Sequence, residues 1–189
     1  MKKPMGILVA LAAFALPVTV TAGEAKPPAK AGAKIEVPKP APELAAMAKG
    51  RAGTWTCKGT AKMPDGTDHA MSGTMKSRSD LDGFWIHDTW DGKMDQIPFK
   101  FDAYTTYDSK SKQLRRVAVD NLGGQQVGTS DGLVDNKIDF TLEAVSVMGQ
   151  MTLKEHVDKS APNALKITTE RSMDKGKTFE PDFEVTCTK

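Results

Sequence analysis

Two cysteines stand at opposite ends of a run of short alternating segments, and they constrain the fold more than any other feature. Cys57 lies in Gly53-Thr54-Trp55-Thr56-Cys57-Lys58-Gly59, and Cys187 lies in Phe183-Glu184-Val185-Thr186-Cys187-Thr188-Lys189. Each is in phase with an apolar neighbour, Trp55 in the first segment and Val185 in the second. Bonded to each other, they make the first and last strands neighbours and close the sheet on itself.

The start of the chain supports that bond. Residues 1 to 22 read as a secretory signal peptide: Lys2 and Lys3 give the positive start, Ile7 to Val20 the apolar stretch, and Val20-Thr21-Ala22 the small residues before a cut after Ala22. The apolar stretch is short and interrupted by Pro17, which disfavours a permanent membrane span. The expected location is therefore periplasmic or secreted, where two cysteines most simply form a disulfide. Free redox thiols would call for a C-x-x-C spacing that is absent.

Residues 23 to 41, rich in alanine, proline and lysine, read as a disordered linker. Residues 42 to 49 then predict a short helix with Pro42 in its first turn, Leu44, Met47 and Ala48 on one face, and Gly50 ending it. So short a helix has to dock, and plugging one end of a barrel would bury its apolar face.

Across the domain expected over 42 to 189, turn signals recur at short intervals with no helical pattern between them. Residues 53 to 62 place Trp55, Cys57 and Ala61 on one face, and 69 to 79 do the same for His69, Met71, Gly73 and Met75. Asp82-Gly83 and Asp91-Gly92 predict turns around a strand from Phe84 to Trp90, whose inner face stays open because Phe84, Ile86 and Trp90 oppose Trp85. Ile97, Phe99, Phe101 and Ala103 share a face before a phase shift near Tyr104 that predicts a bulge. Val117 and Val119 share a face of the next strand, while Arg115 and Arg116 point one guanidinium to each side, where one could meet an anionic ligand inside, with a rim salt bridge as the default. The cleanest alternation is Ile138, Phe140, Leu142 and Ala144; strands near 150 to 157 and 164 to 171 follow. The last strand, about 178 to 188, aligns Phe179, Phe183, Val185 and Cys187, with Pro181 demanding an edge, a bulge or a break. The expected fold is all-β: an antiparallel up-and-down barrel of about ten strands, preceded by a short helix and closed by Cys57–Cys187.

Gly53-Thr54-Trp55 after a short helix resembles the G-x-W entry of lipocalin-like (calycin) barrels. GTWTCKGTAKMPDG, SDLDGFWIHD, PFKFDAYTTYDSKSKQLRRV, GTSDG at 128 to 132 and SMDKGKTFE together resemble a bacterial family numbered fifteen seventy-nine among domains of unknown function. The resemblance spans residues 43 to 189 and implies a lipocalin-like barrel with no established activity. It is distantly similar to the nitrobindins, which carry haem on histidines near their C-terminal strands. Here no histidine follows His156, whose phase groups it with Thr152 and Lys154, so haem ranks below other ligands.

Composition narrows the function classes further. The net charge of +2 falls to zero without Lys2 and Lys3, and no Lys/Arg-rich run marks a nucleic-acid footprint. No G-x-S-x-G is present, Asp80 and Asp82 suit a turn, and Asp131, Asp135 and Asp139 lack the spacing of a calcium loop, so the chain is not expected to be an enzyme. His69 with Met71, Met75 and Met63 would suit Cu(I), although methionine more commonly fills irregular cores and adaptable cavities. The candidate barrel lining is Trp55, Met71, Met75, Phe84 or Trp85, Phe99, Phe101, Phe140, Leu142, Met151, Leu153 and Phe183. Such a lining suits a small hydrophobic or amphipathic ligand with no cofactor, or a filled barrel serving as an envelope interaction module.

Overall fold

A computed structural model describes residues 37 to 189; the expected signal peptide and most of the expected linker lie outside the described residues. Helix α1 spans Pro42–Ala48. Eleven strands follow: β1 Gly53–Lys62, β2 Asp68–Asp80, β3 Trp85–Met94, β4 Ile97–Asp108, β5 Gln113–Asp120, β6 Gln125–Ser130, β7 Leu133–Val134, β8 Lys137–Ser146, β9 Gly149–Asp158, β10 Ala164–Ser172 and β11 Glu180–Thr188. All pairings are antiparallel, each strand beside its predecessor except where the ring closes. Pairing of β6 with β8 and of β1 with β11 turns the sheet into a closed barrel of ten strands. The two-residue β7 pairs only with the start of β8.

The seam between β1 and β11 sets Cys57 directly opposite Cys187, and the two are joined by a disulfide with S–S 2.00 Å. Alternation does the rest of the sorting. The inward residues of β8, Ile138, Phe140, Leu142 and Ala144, are all buried, as are Met151, Leu153 and Val157 of β9. At the end where β1 begins, α1 buries Leu44 and Met47. Met47 lies beside Ile138, Val157 and Leu165 there. Trp55, fully buried, donates from Nε1 to the carbonyl of Arg51 at 2.8 Å, tying the residues after the helix to the first strand.

Four local expectations are corrected. Asp91-Gly92 does not turn the chain; both residues continue β3, and the turn falls at 95 to 96, where Asp95 takes a φ of 51°. Gly92 is needed instead for close packing. It pairs with Gly73, and a Cβ at either position would stand 2.9 Å from the indole of Trp90. The bulge near Tyr104 is absent, since β4 keeps one register through Thr105, whose polar side chain faces inward and is fully buried. A bulge appears in β11 instead, between Phe183 and Pro181, and it removes Phe179 from the inner face; its ring packs under the exposed Lys154. The inner face of β3 is Ile86, Asp88 and Trp90. Phe84 caps a short turn of 3-10 helix and Trp85 packs edge-on against Tyr104, so neither lines the interior.

Candidate functional site

The barrel is not filled. A cavity of about 660 Å³ opens at the end opposite α1, within the range suited to a small-molecule guest. Met71, Met75, Phe99, Phe101, Met151, Leu153 and Phe183 border it, as the alternation expects of an inner face. Trp90, Met63, Met94 and Ile167 complete the wall. Trp55, Phe140 and Leu142 are buried but do not border the cavity. Trp55 lies near the closed end under Arg51, the guanidinium of Arg116 covers the ring of Phe140 at 4.2 Å, and Leu142 packs over Gly128.

Part of the cavity's surface is charged. Arg51 clasps Asp88 through two hydrogen bonds, Nη2 to Oδ2 at 2.9 Å and Nε to Oδ1 at 3.3 Å. Arg116 bonds Glu155 through Nη1 and approaches Asp88 Oδ2 with Nη2 at 3.8 Å. All four side chains are buried. Burial alone would push the Asp88 carboxyl up, but the guanidiniums of Arg51 and then Arg116 outweigh it, and its pKa lies below the usual value. The contribution of Asp88 to stability is therefore complete above its unfolded value of about 3.9 and is lost as the pH falls through the lower folded value. Apolar residues of equal volume would hold the fold about as well as a buried ion network. What the network adds is a polar patch inside an otherwise greasy pocket.

Nearer the mouth, Asp182 accepts from Arg171 at 2.9 Å. Burial raises the Asp182 carboxyl above its usual range despite that partner. The mouth itself carries exposed apolar side chains, Ile97, Leu122, Val147 and Met148.

The histidines are divided among different surroundings. His69 lies at the cavity edge with both ring nitrogens engaged, Nδ1 with Asp95 at 2.6 Å and Nε2 with Thr67 at 3.2 Å, and Met75 stands six residues further along the same strand, about 20 Å away. A soft-metal role would have to break those bonds. His87 faces outward, stacked on Tyr104 at 4.2 Å and bonded to Asp102. His156 pairs with Asp139 at 2.7 Å on the exposed side of β9, so it cannot serve a haem held inside the barrel. Among the described residues, no group of three or more His, Cys, Asp or Glu side chains could hold a metal ion.

The charged patch is what sequence reasoning missed. Glu155 stands in phase with Met151, Leu153 and Val157, and Asp88 with Ile86 and Trp90; a carboxylate on an apolar inner face was the available signal for each. Arg116 was placed one residue from Arg115 on the opposite face, but its burial overturns the rim salt bridge. Arg51, in a turn beyond the helix, gave no periodic signal.

A model of the family described as "Protein of unknown function (DUF1579)" matches residues 39–181. The chain belongs to this family. Its barrel is of the lipocalin-like, calycin type, and solved structures share it. The crystal structure of Rv2717c from M. tuberculosis is similar with a TM-score of 0.60 at 12% identity, covering 80% of this chain and 99% of that one. The S-type phycobiliprotein lyase CPES from Guillardia theta is similar with a TM-score of 0.51 at 12% identity, covering 77% and 92%. At such identity the likeness concerns the fold of this DUF1579 member alone. No curated protein matches the chain significantly.

Proposed function

We propose that this protein binds one small hydrophobic or amphipathic molecule inside its barrel, and that it does so after export to the periplasm or beyond. The observation that carries the reading is the cavity of about 660 Å³ walled by methionine and aromatic side chains. Methionine gives such a wall adaptability, since its unbranched thioether repacks around guests of different outline. The exposed apolar mouth gives a greasy guest a continuous path inward. The reading assigns the barrel no catalytic step; the word lyase in the name of one structural neighbour belongs to that protein.

A second reading, an interaction module, draws on the outer face. Val117 and Val127 pair directly across β5 and β6, with Tyr104 beside Val117 in the register and Val119 next along β5. Val117, Val119 and Val127 are exposed, so the outer wall carries an apolar stripe.

Native mass spectrometry of freshly purified full-length product, followed by displacement of the neutral dye N-phenyl-1-naphthylamine, tests the first reading. A co-purifying small molecule or saturable dye uptake is expected, in a chain whose mass begins at Gly23. A chain that takes up neither removes the cavity reading, and self-association of such an empty barrel would move the role to the outer stripe. A mass that still includes residues 1 to 22 removes the export reading.

A further inference from the structure

We infer that the guest of the cavity is a single-chain amphiphile that enters tail first and keeps its polar head in water at the rim, so that the site selects the chain and not the charge of the head. The inference rests on the binding role proposed above and adds which end of the guest goes in.

Strand positions distinguish the floor of the cavity from its rim. β1 begins directly after the helix and every neighbouring pair is antiparallel, so β3 and β5 start from the end that carries α1 and β9 finishes there. Counted from that end, Asp88, Arg116 and Glu155 are each the fourth residue of their strands, and Arg51 precedes β1. The ion network is therefore the floor. Toward the mouth, the inward side chains that border the cavity are apolar, Leu153 and Met151 on β9, Trp90 and Met94 on β3. From Glu155 to Met151 is four residues, about 13 Å along the strand.

The floor has nothing to offer a polar head. Arg51 faces Asp88, and Arg116 faces both Glu155 and Asp88, with none of these side chains more than 8% exposed. A charged head that reached them would give up its hydration and find every charge already matched; it would have to break one pair to make another. A methyl terminus gives up nothing there. The walls then reward the chain, by about fourfold in affinity for each methylene buried.

The rim meets the opposite demand. Lys62 and His69 border the cavity with side chains 40% and 34% exposed, Lys62 paired with Asp68 and His69 with Asp95. Water reaches this level and groups of both signs stand there, so a head of either charge, or of none, stays hydrated.

Displacement of N-phenyl-1-naphthylamine at neutral pH, with each probe kept below micelle-forming concentration, reads the orientation. Dodecanoate, dodecyltrimethylammonium and dodecyl maltoside carry one tail on three heads, the last too bulky to follow its chain into the barrel. All three should displace the dye, within severalfold of one another. The 12-hydroxy analogue of dodecanoate keeps the head but places a hydroxyl on the end that would lie at the floor, and should bind about tenfold more weakly. Along the alkyl maltosides from hexyl to tetradecyl, affinity should climb and then level off once the chain outgrows the cavity. Equal binding of dodecanoate and its hydroxy analogue, exclusion of the maltoside, or a strong preference for one head overturns tail-first entry while leaving the cavity reading intact. Failure of the dye to enter the unaltered protein overturns both.

Discussion

At the end of the barrel where β1 begins, Leu44 and Met47 of α1 are packed into the interior, Trp55 is sealed beneath Arg51, and Lys189 lies over the Trp55 indole at 4.4 Å while donating to the carbonyl of Ala52. At the far end the turns carry exposed Ile97, Leu122, Val147 and Met148, and the space between the walls stays open. The same alternating strands serve both ends. The difference comes from what lies beyond the strands: a helix that buries its apolar face at one end, and short turns whose apolar side chains stay exposed at the other. One end therefore carries the stability, and the other is free to carry a guest.

The largest expected effect concerns the seam that holds the stable side together. Cys57 and Cys187 are separated by 130 residues, so their bond restricts a long loop in the unfolded chain. In the chain-entropy model Cys57→Ser should lose about 3 to 5 kcal/mol in denaturant unfolding. Neither cysteine borders the cavity, so dye affinity in the folded fraction should hold. Reductant that leaves the melting temperature unchanged would refute this account of the seam, and a variant that loses dye as well as stability would break the division between the two ends.

A matched pair of methionine truncations reads the contrast directly. Met47→Ala removes a side chain 3% exposed in the plug and should cost about 2 to 4 kcal/mol, because the void it leaves has no ready way to collapse. Met151→Ala removes one nearly as buried, at 6% exposure, but one that already faces open space. There the loss should be about 1 kcal/mol, with the main change in dye affinity. Equal costs at the two positions, measured by urea unfolding, would show that burial alone governs and that the cavity has no separate character.

The architecture was legible because alternation and turn chemistry agree over most of the chain. Strand β1 falls on the expected residues 53 to 62, and the inner face of β8 reads directly from Ile138, Phe140, Leu142 and Ala144. The misreadings share one cause. Asp91-Gly92 has the composition of a turn, but Gly92 leaves room for the Trp90 indole across from Gly73, a demand visible only once two strands are paired. Thr105 looked like a phase break because a polar residue occupied an inward position; Arg116 stands opposite it in the neighbouring strand. The polar patch stayed hidden for the same reason: Arg51, Asp88, Arg116 and Glu155 are far apart in sequence and meet only in the closed barrel.

The smallest expected effect lies in a turn on the open side. Asp174, between β10 and β11, accepts from the backbone of Thr178 at 2.9 Å, from Ser172 Oγ at 2.7 Å and from Thr178 Oγ1 at 2.7 Å. These bonds, the backbone bond from Thr178 foremost, then that from Ser172, hold its pKa down to about 2. A lowered carboxylate adds stability in full above its unfolded value, about 3.9, and loses it as the pH falls through the folded one. Asp174→Asn keeps one acceptor oxygen and gives up the other, so its melting temperature at neutral pH should sit slightly below that of the unaltered chain. That gap should close between pH of about 4 and about 2. Because the turn is solvent-exposed and remote from the plug, dye affinity should follow only if this loop shapes the mouth. A gap that is constant across the acid range would show that the carboxylate charge is not what secures the turn, and that the open end is held, like the closed one, by packing.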